Sequence, residues 1–206
     1  MPQPSAAQPS AAKVAKGEQT RRAVLDAAID RFGRDGYRAT SVADIARDAR
    51  VGGTVPYAYF ADKEALFLAA VDEDAAGVIE EGLSHLLSGE AHPRDWRSTL
   101  VFTLVDAVER HPLARRMLAG LEPDVTERVL LIPALEELRK ACAERLRTEQ
   151  AAGAVRADID PVRVANGMVA IVLSLLMSVV QLGVSAASLY ANDVAAVFEA
   201  ALDPID

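Results

Sequence analysis

The chain has 206 residues, 51% of them hydrophobic, a net charge of −8 and one cysteine. That length suffices for one or two globular domains with a sizeable core. A single thiol, Cys142, excludes an internal disulfide and points to a reducing, cytoplasmic setting. The acidic balance argues against a general nucleic-acid-coating protein, but the charge is unevenly spread. Residues 1–64 hold ten Lys or Arg and eight Asp or Glu, a net of +2; residues 65–206 hold twelve and twenty-two, a net of −10.

Residues 1–16 are rich in Pro, Ala, Ser and Gln. They contain no apolar segment of the kind a secretory signal needs, and the composition predicts a disordered tail. Lys13 and Lys16 leave a weak arm on DNA open beside the simpler reading of a solvated tail.

The first predicted helix runs from about Glu18 to Arg34, with Val24, Leu25, Ala28, Ile29 and Phe32 on one apolar stripe. Gly36 stops it, and Tyr37 is expected to pack back on Phe32. A second helix starts at Ser41, where Ser41-Val42-Ala43-Asp44 has the form of a capping box. Its buried side is Val42, Ile45, Ala46 and Ala49. A turn through Ala49-Arg50-Val51-Gly52 leads to a third, short helix around Gly53–Tyr59. Asp62 then caps a fourth helix that begins at Lys63. Three short helices joined by tight turns form a compact unit of the helix-turn-helix kind, which presents its last helix to the DNA major groove. Thr54, Val55 and Tyr57 are the expected groove-facing residues.

This segment closely resembles the DNA-binding head of the TetR (tetracycline repressor-like) family of bacterial regulators. The matching residues are Ala27-Ala28, Phe32, Gly36-Tyr37, Thr40-Ser41, Ile45-Ala46, Val51, Tyr57, Tyr59-Phe60, Lys63-Glu64 and Leu66. The resemblance implies that Thr40, Ser41, Tyr57, Tyr59 and Lys63 contact phosphates. Lys63 also stands at a helix N-terminus, itself an anion site. Two positions depart from the family pattern. Arg50 stands where a turn glycine is usual, at a cost of ~1–2 kcal/mol if the residue is left-handed. Gly52 stands where a Ser or Thr cap is usual, which leaves Thr54 as the substitute cap and puts Pro56 in the first turn, where proline is tolerated.

Beyond Lys63 every element reads as helix: near 62–88, 94–110, 112–119, 123–151, 160–182 and 190–203, with Pro133 kinking or dividing the fourth. The organisation is therefore a tail (1–16), a helix-turn-helix DNA-binding domain (17–62) and a helical effector-binding and dimerisation domain (63–206), all-α throughout. Residues 164–184 are apolar nearly all round and long enough to raise the question of a membrane span. Asn166, Gln181 and the absence of a basic flank favour instead a helix buried on two sides. The resemblance implies that the last two long helices build a four-helix dimer interface, for which Asn166–Gln181 and Asp193–Leu202 match by position. Trp96, Leu100, Phe102, Leu104, Met117, Leu121 and Leu131 are candidate pocket residues between the middle helices, and each taken alone reads better as ordinary core. His85 and His111 are candidate polar points of that pocket.

Catalytic alternatives are thin. Glu81 and His85 stand four apart on one helix face, but no His-Glu-x-x-His pattern accompanies them. Asp72-Glu73-Asp74 reads as a solvated charge run, and Cys142 as a packed side chain rather than a redox sensor. No nucleophile elbow, phosphate loop or dinucleotide fingerprint occurs, so neither an enzyme nor a cofactor is expected. The sequence predicts a homodimeric repressor that leaves a palindromic operator when a small apolar effector binds. The alternatives are an activator or a regulator without a small ligand, and a dimeric small-molecule-binding module without specific DNA binding.

Overall fold

The computed structural model describes residues 11–87, 96–123 and 131–204 and divides into two compact units, one up to Ala70 and one from Val71 onward. Eight helices follow one another, and no strand occurs among the described residues. They are α1 (Ala11–Ala39), α2 (Val42–Asp48), α3 (Lys63–Leu87), α4 (Trp96–Arg110), α5 (Pro112–Leu118), α6 (Pro133–Ala151), α7 (Pro161–Leu182) and α8 (Val184–Leu202). One 3-10 turn, Val55–Ala58, lies between α2 and α3. The elements predicted across residues 88–95 and 124–130 lie outside the described residues.

In the first unit the α1 stripe is buried as its spacing predicts, with Val24, Leu25, Ala28 and Phe32 at 1% exposure or less. The helix begins at Ala11, so part of the predicted tail is helical. Ala and Lys have high helix propensity, and they extend the helix outward. Gly36 breaks the regular helix at φ 83°, where a side chain is strained. Tyr37 packs on Phe32 with ring centroids 6.1 Å apart. Phe67 of α3 completes the cluster, 5.0 Å from Phe32 and 4.9 Å from Tyr37. Such aromatic pairs each contribute roughly 0.5–1.5 kcal/mol beyond their burial.

In the second unit α7 is the central helix and packs against α4, α5, α6 and α8. It is long and apolar enough to cross a membrane by length and composition. Its Ala165, Met168, Val169, Val172, Leu176 and Val179 are buried against the other helices, while Val162, Ile171 and Leu182 are exposed. Pro133, expected to kink or divide a helix over 123–151, stands at the start of α6, and residues 124–130 lie outside the described residues. It opens α6 at the first-turn position, where the missing N–H costs nothing. α8 starts at Val184, earlier than predicted, because Gly183 alone (φ 88°) ends α7 and starts the next helix.

Buried polar groups fasten these helices. Asp74 on α3, read from sequence as solvated, is 5% exposed. Its Oδ2 accepts the backbone N–H groups of Leu113 and Ala114, both at 2.8 Å, and its Oδ1 lies 2.8 Å from His111 Nδ1. The other ring nitrogen of His111 lies 3.2 Å from Glu81 Oε1, and Glu81 also pairs with Arg110. Those partners, Arg110 first, hold the Glu81 carboxyl below its usual range. Gly77 makes the junction possible, since a Cβ there would meet His111 Cε1 at 2.3 Å. On the far side Glu149 of α6, 4% exposed, takes Arg97 of α4 and Arg145 of its own helix, each at 3.1 Å.

Two predictions follow from this packing. Asp74→Ala leaves His111 and two helix-starting N–H groups without their acceptor, and should lower stability by about 3 kcal/mol, read from the urea midpoint. Cys142 is 1% exposed, and burial pushes its thiol up to about 12. A thiol reagent at pH 8 should therefore leave the native protein unmodified and label it fully in urea; rapid native labelling contradicts the assigned burial.

Candidate functional site

The head is assembled around the break at Gly36. The chain turns there, and the Thr40 hydroxyl donates to the Gly36 carbonyl at 2.8 Å. Ser41 then caps α2: its Oγ accepts the Asp44 N–H at 3.2 Å and donates to the Asp44 carboxylate at 2.7 Å. The Asp44 carboxylate thus reaches back to Ser41, as the capping-box pattern predicts. Arg31 of α1 ties the two helices together by reaching Asp48 at 2.8 Å and Asp35 at 3.2 Å.

α2 ends in a Schellman motif. Arg50 donates its N–H to the Arg47 carbonyl and Val51 to the Ala46 carbonyl, which places Arg50 at the left-handed position with φ 57°. The segment predicted as a short recognition helix is a single 3-10 turn, Val55–Ala58. Thr54 occupies its N-cap position but makes no side-chain cap bond there, against the prediction. Its φ of −92° with ψ −11° already belongs to the helical region, whereas a capping residue adopts extended backbone. Pro56 is buried in the turn and anchors it. Asp62 caps α3 as predicted, with Oδ1 accepting the Ala65 N–H at 2.8 Å.

Most of the predicted contact residues lie on the head surface. Ser41, Thr54 and Tyr57 are exposed, Tyr57 by 55%, while Val55, Tyr59 and Lys63 are half-buried. The Lys63 ammonium sits 4.3 Å from the Tyr37 ring centroid, and the Tyr59 hydroxyl lies beside Gly17. Thr40 differs from the rest: it is 3% exposed, and its hydroxyl is committed to Gly36. Its side chain shapes the entry to α2.

Charge in the head is largely paired internally. Arg21 meets Glu18, Arg22 meets Asp26, Arg31 meets Asp35 and Asp48, Arg34 meets Asp35, and Arg47 meets Asp44. The Arg34 bond holds the Asp35 carboxyl below its usual range, and the Ser41 hydroxyl, followed by Arg47, does the same for Asp44. Lys63 and Arg50 carry no carboxylate partner among the described residues.

The second unit contains an apolar cavity of about 60 Å³. Its walls are Val71, Ala75, Val78 and Ile79 of α3, Leu104 and Val108 of α4, Ala114, Met117 and Leu118 of α5, Ile132, Leu135 and Leu138 at and within α6, and Val169, Val172, Leu173 and Leu176 of α7. Of the predicted pocket residues only Leu104 and Met117 line it. Trp96 and Leu100 are buried elsewhere in the core. Phe102, Leu121 and Leu131 point outward, at 71%, 57% and 73% exposure. The helical phase of α4 sends Leu100, Leu104, Ala107 and Val108 inward and leaves Phe102 on the opposite side. Leu121 follows the left-handed Gly120 out of α5, and Ile132 takes the inward position beside Leu131.

His111 is no polar point of the cavity, because Asp74 and Glu81 occupy its ring; the His85 side chain lies outside the described residues. No cluster of His, Cys, Asp and Glu suited to a metal occurs among the described residues. Sequence reasoning missed Asp74. The available signal was its spacing, in phase with Phe67, Ala70, Val71 and Val78 on the buried face of α3.

Comparison with known proteins fits this geometry. Residues 24–70 match the family model described as bacterial regulatory proteins, tetR family. The A-factor receptor protein of Streptomyces griseus is 39% identical over 67 residues, which cover 32% of this chain and 24% of that protein. The match thus spans about a quarter of that curated relative. A TetR transcriptional regulator from Chloroflexus aurantiacus superposes over 92% of this chain and 98% of its own, with 26% identity and a TM-score of 0.67. A gamma-butyrolactone receptor superposes over 92% of this chain and 91% of its own, with 26% identity and a TM-score of 0.55.

The strained turn carries its own prediction. Arg50→Gly removes a left-handed side chain worth ~1–2 kcal/mol of strain and adds roughly 0.5–1 kcal/mol of unfolded-chain entropy. Thermal unfolding should therefore show an unchanged or slightly raised midpoint, and a marked drop contradicts the assigned conformation.

Proposed function

We propose that this chain, a member of the tetR family of bacterial regulatory proteins, is a homodimeric DNA-binding transcriptional regulator, a repressor that a small apolar effector releases from a palindromic operator. The observation that carries the reading is one continuous helix. α3 begins in the head, where Lys63 and Phe67 belong to the aromatic and cationic cluster, and its later residues Val71, Ala75, Val78 and Ile79 wall the cavity. A ligand that repositions those later residues acts on an element that the head also uses.

On this reading Thr54, Val55 and Tyr57 face the major groove, and Ser41, Tyr57, Tyr59 and Lys63 bind phosphates, which fix register while base contacts carry sequence. Thr40 acts through the turn it stabilises. The partner is a second copy of the chain. α7 and α8 expose Val162, Ile171, Leu182, Val184 and Val197, with Gly167 and Ala170 on the same side of α7 and Ala195, Ala196 and Ala200 on α8. Joining two copies there removes this apolar surface from water. A two-fold dimer reads half-sites about one helical turn apart, ~34–36 Å. This activity belongs to the cytoplasm and uses neither a cofactor nor a catalytic group.

The cavity chemistry supports an apolar effector. All sixteen lining residues are hydrophobic, so no lining side chain can pair a polar oxygen. Two relatives are described as receptors, for A-factor and for gamma-butyrolactone. The lining here favours the hydrocarbon part of a ligand over any polar head. The cavity is also small. A hole of ~150 Å³ takes up benzene, so an effector must push side chains of α3, α5 or α7 aside. Binding is thereby coupled to conformation: the effector prefers the opened body, and DNA lowers effector affinity by the same factor that the effector lowers DNA affinity.

A second reading is a sequestering module without specific DNA binding. It is favoured by the uncapped 3-10 turn in place of a recognition helix. Selection of the purified protein against a random duplex library separates the two readings. A regulator should enrich a palindrome whose affinity falls with salt. Tyr57→Ala with Lys63→Ala should then cut operator affinity at least tenfold, by about 1.4 kcal/mol or more, with an unchanged dimer by light scattering. A sequestering module enriches nothing, and neither substitution alters its ligand uptake. Within the first reading, an apolar compound that binds the body yet leaves operator affinity untouched would falsify the release mechanism.

A further inference from the structure

We propose that Arg50 is a base-reading residue whose guanidinium contacts a guanine edge in the major groove, and so supplies discrimination that the shortened recognition turn lacks. The inference rests on the DNA-binding reading above and adds to it a residue outside the set proposed there.

The chain itself provides the comparison. Three of its helices end in the same Schellman motif, with the same pair of backbone bonds: α2 at Arg50, α5 at Gly120 and α6 at Gly153. All three positions are left-handed, at φ 57°, 70° and 71°. Two carry glycine, the residue that adopts this backbone without strain. Only the one beside the recognition turn carries a long cationic side chain, and it is the one positive-φ non-glycine residue in the described chain. Strain retained at one position where its equivalents avoid it marks a side chain kept for a purpose.

The guanidinium is also available. Arg21, Arg22, Arg31, Arg34 and Arg47 each pair with a carboxylate of the head. Arg50 is exposed and has no such partner among the described residues.

Its neighbours cannot do the same work. From Ala49 to Phe60 the only other side chains with hydrogen-bonding groups are Thr54, Tyr57 and Tyr59, each with a single hydroxyl. Gly52 and Gly53 offer no side chain, Pro56 is buried, and Val51, Val55 and Ala58 are apolar. The bidentate contact to guanine O6 and N7 is made by an arginine fork or a lysine ammonium, the fork holding the fixed geometry better. Within this segment Arg50 is the only residue of either kind. It lies five residues ahead of the Val55–Ala58 turn, whose first residues approach base edges in a helix-turn-helix.

The test compares wild type, Arg50→Gly and Arg50→Lys in the same random-duplex selection, followed by titrations on the selected duplex and on one with the guanine replaced. Wild type should enrich a palindrome with a guanine at a fixed position in each half-site. Arg50→Gly should keep the wild-type melting temperature, lose about 5- to 150-fold in affinity per half-site, and no longer distinguish the two duplexes. Arg50→Lys keeps the charge and puts an ammonium in place of the fork, and should keep a reduced guanine preference with the wild-type salt slope.

An Arg50→Gly variant that enriches the same guanine as wild type overturns the assignment and leaves the DNA-binding reading standing. The assignment also fails if Arg50→Gly weakens all duplexes equally and lowers the salt slope while Arg50→Lys behaves as wild type, which is the mark of a phosphate contact. A wild-type protein that enriches no sequence overturns both this inference and the reading beneath it.

Discussion

The body of this protein is organised around one buried carboxylate. Removing Asp74 from water is costly, and three bonds offset the cost: the two N–H groups that start α5 and the ring of His111. The same bonds set the position of α5 against α3. Ala114, Met117 and Leu118 therefore face Val71, Ala75 and Val78 across the cavity, with the imidazole passing over Gly77. An apolar contact between those helices would be non-directional and would tolerate sliding. A carboxylate with three fixed donors does not, so the cavity inherits a definite shape from a polar group outside its lining.

The head follows a different logic. Its arginines are spent on its own carboxylates, which stiffens the junction of α1 and α2 and lowers the charge left for DNA. Exposed pairs of this kind contribute little stability, but they decide which cations remain available. Arg50, ahead of the turn, and Lys63, at the start of α3, are among the cations left without a carboxylate partner among the described residues. On the proposed function, recognition by such a surface would depend on few contacts, each carrying a larger share of the affinity than in a uniformly basic head.

Much of this architecture was legible in the sequence, and the gaps have physical causes. The stripe from Val24 to Phe32, the stop at Gly36, the Ser41 cap and the Asp62 cap follow from local spacing and capping chemistry, and they appear as expected. The pocket lining was far less legible. Leu100 to Val105 is almost uniformly apolar, so composition carries no phase, and only packing against α7 decides that Leu104 faces in and Phe102 out. Leu131 and Ile132 pose the same ambiguity at adjacent positions. Asp74 was missed for the opposite reason. Its neighbours Asp72 and Glu73 made it look like part of a solvated run, whereas its helical phase places it among Phe67, Ala70, Val71 and Val78. The recognition turn fell short of a helix because Gly52, Gly53 and Pro56 supply neither propensity nor a cap.

On the proposed function, the wholly apolar wall of the cavity has a consequence for what the protein can sense. Without a directional partner, affinity for any occupant follows its oil–water partitioning, at about 0.8 kcal/mol per buried methylene. Homologues in a series are then separated by small multiplicative steps, while molecules of equal volume and different identity look alike. A sensor of this type measures greasiness and size. Its selectivity in the cell is set by which apolar compounds are abundant enough to partition into it.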